Sequence, residues 1–185
     1  MEHDQQTGIA GPVPMAAEAM TRVTTALAVE AEPEAMVSVV LDQAITTLGA
    51  RVAHVYLADE ERRELRLAGQ RNLPPPFLAA CAARTRQLQV VESPDALDAT
   101  LTTAHAILRR TASKSMVSVP LVAFGRLIGV LTYALPHHHR ITSAERAAIQ
   151  TIAVVFAVGL ANAQALAERG RPAAAVLLRL PAHRA

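Results

Sequence analysis

Residues 119–134 read VPLVAFGRLIGVLTYA. Two apolar runs are joined by Phe124-Gly125-Arg126, and a glycine in so short a connection predicts a tight hairpin. Strands joined this tightly are antiparallel. The flanking segments, 116–123 and 127–135, are apolar at successive positions rather than at alternate ones. That is the pattern of central strands with both faces covered, so this stretch predicts a sheet with a layer on either side.

The rest of the chain supplies those layers. Residues 51–58, RVAHVYLA, and 64–70, ELRLAGQ, read as two more strands around a charged turn at 59–63, the second with a solvated edge. QLQVVE (87–92) reads as a short fifth. Helical spacing runs through residues 15–32 by Ala16, Met20, Val23 and Leu27. Pro33 opens a second helix whose stripe is Val37, Val40, Leu41, Ala44, Ile45 and Leu48, with Gly49 at its C-terminal end. Pro74-Pro75-Pro76 interrupts any regular element, and residues 77–86 suit a short helix. Ser93-Pro94 has the form of a helix start, with Leu97, Leu101, Ala104 and Leu108 on one face as far as Arg110. Thr142-Ser143-Ala144-Glu145 is a capping box. It opens a long helix to about Arg169, with Ile149, Ile152, Phe156, Leu160 and Ala163 down one side. The organisation expected is a disordered segment 1–14, one α+β domain over 15–169 and a tail 170–185 without an assigned role.

Composition narrows the function. The 185 residues carry 18 basic and 16 acidic groups, a net charge of +2, which is no footprint for nucleic acid. Lys114 is the single lysine, so the arginine bias reads as genomic composition, here that of a bacterial chain. Cys81 is the single cysteine, which excludes an internal disulfide and fits a reducing cytoplasm. The first residues lack the basic start and apolar block of a secretory signal. The densest apolar run, Ile149 to Ala161, falls short of a membrane span. A cytoplasmic protein is expected, with no membrane and no nucleic-acid partner.

Candidate site residues follow from the alternation of side chains along strands. Ala53, Val55 and Leu57 share one face of the first strand and suit contact with helices, which sends His54 and Tyr56 to the other face. Ser118, Thr132 and Tyr133 are the polar groups inside the central hairpin, and Thr132 and Tyr133 point to opposite faces. His54, Tyr56, Ser118 and Thr132 are therefore the candidate ligand-binding set, on a face that a small molecule and the middle segment would share. A filled, ligand-free face is the alternative. His137-His138-His139 is read as a solvated loop, because adjacent side chains converge poorly on one metal ion and no acidic or Cys partner sits at a helical offset. Cys81 reads as a small buried hydrophobe. Glu92, Asp95, Arg109 and Arg110 read as solvated caps of helix ends. No Ser-His-Asp set, phosphate-cradling glycine loop or zinc spacing is present, so no catalytic residue and no metal is assigned, the cofactor stays unknown, and the chain is not expected to be an enzyme.

SVPLVAFGRLIGVLTYALPHHHRITSAERAAIQTIAVVFAVGLANAQ resembles the C-terminal half of GAF domains. The matching features are Pro120-Leu121, Gly125, Gly129-Val130-Leu131, Thr142 with Glu145, and Asn162-Ala163. PEAMVSVVLDQAITTLGARVAHVYLADEERRELRL and RQLQVVESPDA are similar to the first half and the middle, so the likeness covers roughly residues 15–168. It implies a six-stranded antiparallel sheet, with helices from the two termini on one face and a pocket under a variable segment on the other. Free methionine sulfoxide reductases of this family rely on several cysteines, bilin-binding relatives need a Cys beside a His, and nucleotide-binding relatives carry an Asn-Lys-Phe-Asp-Glu set; this chain departs from each. The expected role is a small-molecule-binding sensory or regulatory domain. Its Ala-rich terminal helices would pair in a homodimer, and with 16 residues after Arg169 it would act through a separate signalling effector or be a fragment of a sensor. A ligand-free dimerisation module is the alternative, and a reductase of oxidised methionine a third reading.

Overall fold

Five strands form one antiparallel sheet: β1 (Val52–Asp59), β2 (Glu64–Arg71), β3 (Gln89–Val91), β4 (Ser115–Ala123) and β5 (Arg126–Leu135), in the order β2-β1-β5-β4-β3. Among the described residues the two long helices that accompany it are α1 (Pro33–Thr46) and α2 (Ser143–Gly170). The computed structural model describes residues 21–25, 32–59, 62, 64–72, 85–96, 105 and 108–170. The expectations for 1–14, for 77–84 with Cys81, for Leu97, Leu101 and Ala104, and for the tail beyond Gly170 fall outside these.

The hairpin of the opening stretch forms, and both its strands lie inside the sheet. Phe124 and Gly125 make the turn with φ of 51° and 75°, so the strands close on the pair Ala123–Arg126. Two left-handed residues give a turn whose twist matches that of the strands. Glycine takes that conformation freely, whereas Phe124 pays a strain on the order of 1 kcal/mol for it. Further along, the ladder slips by one residue between Leu121 and Val122. The extra residue is Ile128 on β5, since Val122 pairs with Leu127 and Leu121 with Gly129. A matching irregularity at Val55/Tyr56 leaves Ala68 as the extra residue of β2.

Five strands are described where six were expected from the family resemblance. The residue patterns themselves identify these five and no other; the sixth came from the likeness alone. β1 sits between β2 and β5, and β5 between β1 and β4, which is why β1, β4 and β5 are almost wholly buried. The edge strand β2 alternates exposed and half-buried residues along its first half, as its sequence predicts.

Both helices lie on one face. Ala53, Val55, Leu57, Val117, Val119, Leu121, Leu131 and Tyr133 form a single core with Val37, Val40, Leu41 and Ala44 of α1 and with Ala153, Phe156, Ala157, Leu160 and Ala163 of α2. Val23, in the helical residues 21–25, joins it. Burying a side chain such as Phe156 or Leu41 contributes roughly 1.5–3 kcal/mol each. α1 begins with Pro at its first position and is tied to the edge strand by Arg71, whose Nε meets Asp42 Oδ1 at 2.7 Å and whose Nη2 donates to Ser38 Oγ at 2.7 Å. α2 begins with the capping box read from the sequence. Glu145 N–H donates to Thr142 Oγ1 at 3.2 Å, and Glu145 Oε2 accepts from the Thr142 backbone N–H at 2.8 Å.

α2 corrects one expectation. Over Ser143–Ala167 it is long and apolar enough to cross a membrane by length and composition, its most apolar 18 residues having a mean hydropathy of 1.6. The stretch judged too short from its densest part, Ile149 to Ala161, is lengthened on both sides by alanines, which add apolar length without bulk. The same helix supplies five buried residues to the core, the role of a core helix.

Candidate functional site

The face of the sheet turned away from the helices is built in three rows, because residues directly opposite one another on neighbouring strands project to the same side. One row is apolar: Val52, Ala134, Met116 and Val91 are cross-strand partners in turn, and Leu108 packs on the first three. A second apolar row holds Leu67, Tyr56, Val130 and Pro120, with Tyr56 and Val130 buried together against Leu65 and Leu67. Between them runs a polar row with one residue from every strand: Gln70, His54, Thr132, Ser118 and Gln89.

Three of the four candidate residues thus stand side by side in one row, with the fourth, Tyr56, one step away. All four are buried, with exposures of 7% for His54 and Tyr56, 3% for Ser118 and 1% for Thr132. Tyr133, the alternative on β5, lies in the helix-side core. Gln70 and Gln89 were missed. Their signal was present, since each sits in a strand read from the sequence, but it becomes visible only once the strands are aligned. Gln89 reaches sideways from the row, its Nε2 donating to Thr85 Oγ1 at 3.0 Å.

The chemistry of the row is uneven. Ser118 Oγ and Thr132 Oγ1 lie 2.8 Å apart and satisfy each other. The His54 ring stands edge-on to Tyr56, centroids 5.4 Å apart and planes at 85°. Its Nε2 is buried and has no hydrogen-bond partner among the described residues. Burial pushes the imidazole down to about 4, so the ring is neutral near pH 7, and burial also pushes the Tyr56 phenol up. An orphaned buried nitrogen costs about 1–3 kcal/mol relative to a satisfied one, a cost that Phe or Leu at the same position would avoid.

The histidine loop lies elsewhere. His139 Nε2 is 3.2 Å from Glu145 Oε1 at the start of α2, His138 Nδ1 is 3.4 Å from the Glu92 carbonyl, and the rings of His137 and His139 meet edge-on at 5.8 Å. Burial works to raise the Glu145 carboxyl, but the Thr142 donors and His139 outweigh it and leave it below its ordinary value. Among the described residues no group of three or more His, Cys, Asp or Glu side chains is placed to hold a metal ion. Asp95 does serve as part of a helix start, its N–H donating to Ser93 Oγ at 3.3 Å.

Residues 30–161, which carry this helix-covered sheet, match a family model for the GAF domain. This chain belongs to the GAF domain family. A structure from Burkholderia vietnamiensis, designated a candidate GAF sensor protein, is similar at 25% identity with a TM-score of 0.70, covering 84% of this chain and 99% of that one. Free methionine-R-sulfoxide reductase from Neisseria meningitidis, in complex with its substrate, shares the fold at 20% identity and a TM-score of 0.72, covering 89% and 99%. So does the GAF domain of a phosphoenolpyruvate-protein phosphotransferase from Coxiella burnetii, at 14% identity and 0.71, covering 85% and 99%. No curated protein matches the sequence. These likenesses establish the shared fold, in a sensor protein, a reductase and a phosphotransferase alike.

Proposed function

We propose that this GAF domain senses a small molecule on the sheet face opposite its helices, in the cytoplasm, and passes the signal on as a homodimer to a separate effector. The observation that carries the reading is the buried, unpartnered Nε2 of His54, in a polar row between two apolar ones. A ligand group would complete that row, with His54 and Tyr56 orienting it and the Ser118–Thr132 pair beside it. A ligand that fits one arrangement of the helices better would shift the population toward that arrangement.

The dimer rests on α2. Only 28% of its most apolar stretch is buried, Val154 and Leu166 are 53% and 62% exposed, and the helix continues about two turns past its last core residue, Ala163. A second copy of α2 is the occupant that such a stripe of Val, Leu and Ala suits. The reading contains no catalytic step. A reductase role would require Cys81 to act alone, and sulfoxide reduction that survives Cys81→Ser would dispose of it.

Native mass spectrometry of the full chain, purified from its own cells, tests both halves at once. A dimer mass carrying a small molecule is expected. A dimer with nothing bound would favour a ligand-free dimerisation module, the second reading, which the self-satisfied Ser118–Thr132 pair supports.

A further inference from the structure

The polar row has a character that narrows what it could hold. Every side chain in the three rows is uncharged: Val52, Ala134, Met116 and Val91 on one side, Leu67, Tyr56, Val130 and Pro120 on the other, and Gln70, His54, Thr132, Ser118 and Gln89 between them. The arginines next to it are engaged elsewhere. Arg71 sits opposite Ala53, on the helix side, against Asp42. Arg86 Nη1 donates to the Gly125 carbonyl at 2.9 Å, at the hairpin tip.

A carboxylate or phosphate moved onto such a face would lose its water without gaining a cation from the described residues of the three rows. His54 does not supply one in the absence of a ligand: burial holds its ring down to about 4, so it is neutral near pH 7. An ammonium would fare no better, since no carboxylate stands in any of the three rows. What the face does offer is a buried hydrogen-bonding atom, Nε2 of His54, without a partner among the described residues and between apolar surfaces.

We infer that the ligand is an uncharged, largely apolar small molecule with a single hydrogen-bonding group, such as a hydroxyl or an amide, that pairs with Nε2 of His54. This rests on the reading that the face holds a ligand at all. It specifies the class, and it sets this chain apart from any domain of the same fold that grips a phosphate or a carboxylate.

The test uses the full chain labelled with 15N and three matched probes: benzyl alcohol, benzoate and phenyl phosphate. Benzyl alcohol is expected to move the His54 ring-nitrogen resonance and to raise Tm, with the two anions moving neither. His54→Phe should weaken the response to benzyl alcohol about tenfold, the worth of one hydrogen bond. His54→Gln, which keeps a hydrogen-bonding group in place, should retain part of it and serves where the Phe variant fails to fold. Movement of the His54 signal by benzoate or phenyl phosphate at lower concentration than by the alcohol overturns the inference, as does the absence of movement with all three. The two levels separate by native mass spectrometry of the cell-derived protein. A bound anion there defeats the neutral class and leaves the sensing role standing, whereas an empty dimer removes the sensing role itself.

Discussion

Ser118 and Thr132 face each other across β4 and β5 and spend their hydroxyls on one another, at 2.8 Å in a fully buried setting. The pair makes the centre of the polar row self-sufficient and leaves His54, its neighbour, as the residue with something to offer.

That mutual satisfaction predicts a non-additive pair of substitutions. Ser118→Ala leaves a buried hydroxyl on Thr132, and Thr132→Val leaves one on Ser118; each should cost about 1–3 kcal/mol in denaturant unfolding. Together they remove both polar groups, so the double variant should lose less than the two singles summed. Strict additivity would mean that the two hydroxyls do not depend on each other.

His54 predicts an acid-sensitive stability. Its folded value of about 4 lies below the ordinary 6.5, so the unfolded chain takes up the proton first. Stability is therefore fully present above pH 6.5 and is lost as pH falls from there through about 4, by about 3 kcal/mol in all. His54→Phe should remove this component while the acid loss due to Glu145, whose carboxyl is also held low, persists in both proteins. The difference between the two pH–stability curves measures it; parallel curves from pH 7 to 4 would contradict the burial of a neutral imidazole.

Gly129 predicts a steric limit in the middle of the sheet. A Cβ there would run into the backbone carbonyl of Tyr56 on β1, and backbone in a central strand has little room to yield. Gly129→Ala should destabilise by about 2–3 kcal/mol, read as a fall in the unfolding midpoint. Gly159→Ala, where a Cβ would meet only the end of the Met36 side chain at 3.6 Å, is the control and should be close to neutral.

Leu166 predicts the association. It stands 62% exposed beyond the last core residue of α2, so Leu166→Glu leaves the fold intact. It should convert a dimer to a monomer in sedimentation velocity, with the unfolding midpoint at low concentration unchanged. A wild-type chain that sediments as a monomer would remove the dimer from the proposed function.

Most of the architecture was legible because each cue is local. The glycine turn, the doubly apolar strands, the Pro33 start and the Thr142–Glu145 box all act over three or four residues, and the structure places each where its chemistry requires it. The face assignment of His54 and Tyr56 followed from the period of two along a single strand. What could not be read was alignment between strands. Counted straight back from the turn, Ser118 would stand opposite Leu131, with Thr132 on the far side of the sheet; the bulge at Ile128 brings Ser118 and Thr132 together. Bulges arise from how strands fit one another, so no single segment announces them. Gln70 and Gln89 escaped notice for the same reason. The length of α2 was read correctly, to within a residue of its end at Gly170, but its apolar extent was underestimated because alanines extend an apolar helix without adding to its densest run.

The bulge also sets where the chain tolerates a change of length. Between the turn and Thr132, β5 carries one residue more than its ladder uses, and Ile128 is that surplus. Its deletion would straighten the strand and leave His54, Thr132 and Ser118 abreast. Removing Leu131, three positions later, would bring Tyr133 opposite Ser118 and turn Thr132 beneath the helices. Two deletions of equal size in one strand would thus have opposite effects on the site, and a family member shortened at the first place could keep its recognition chemistry intact.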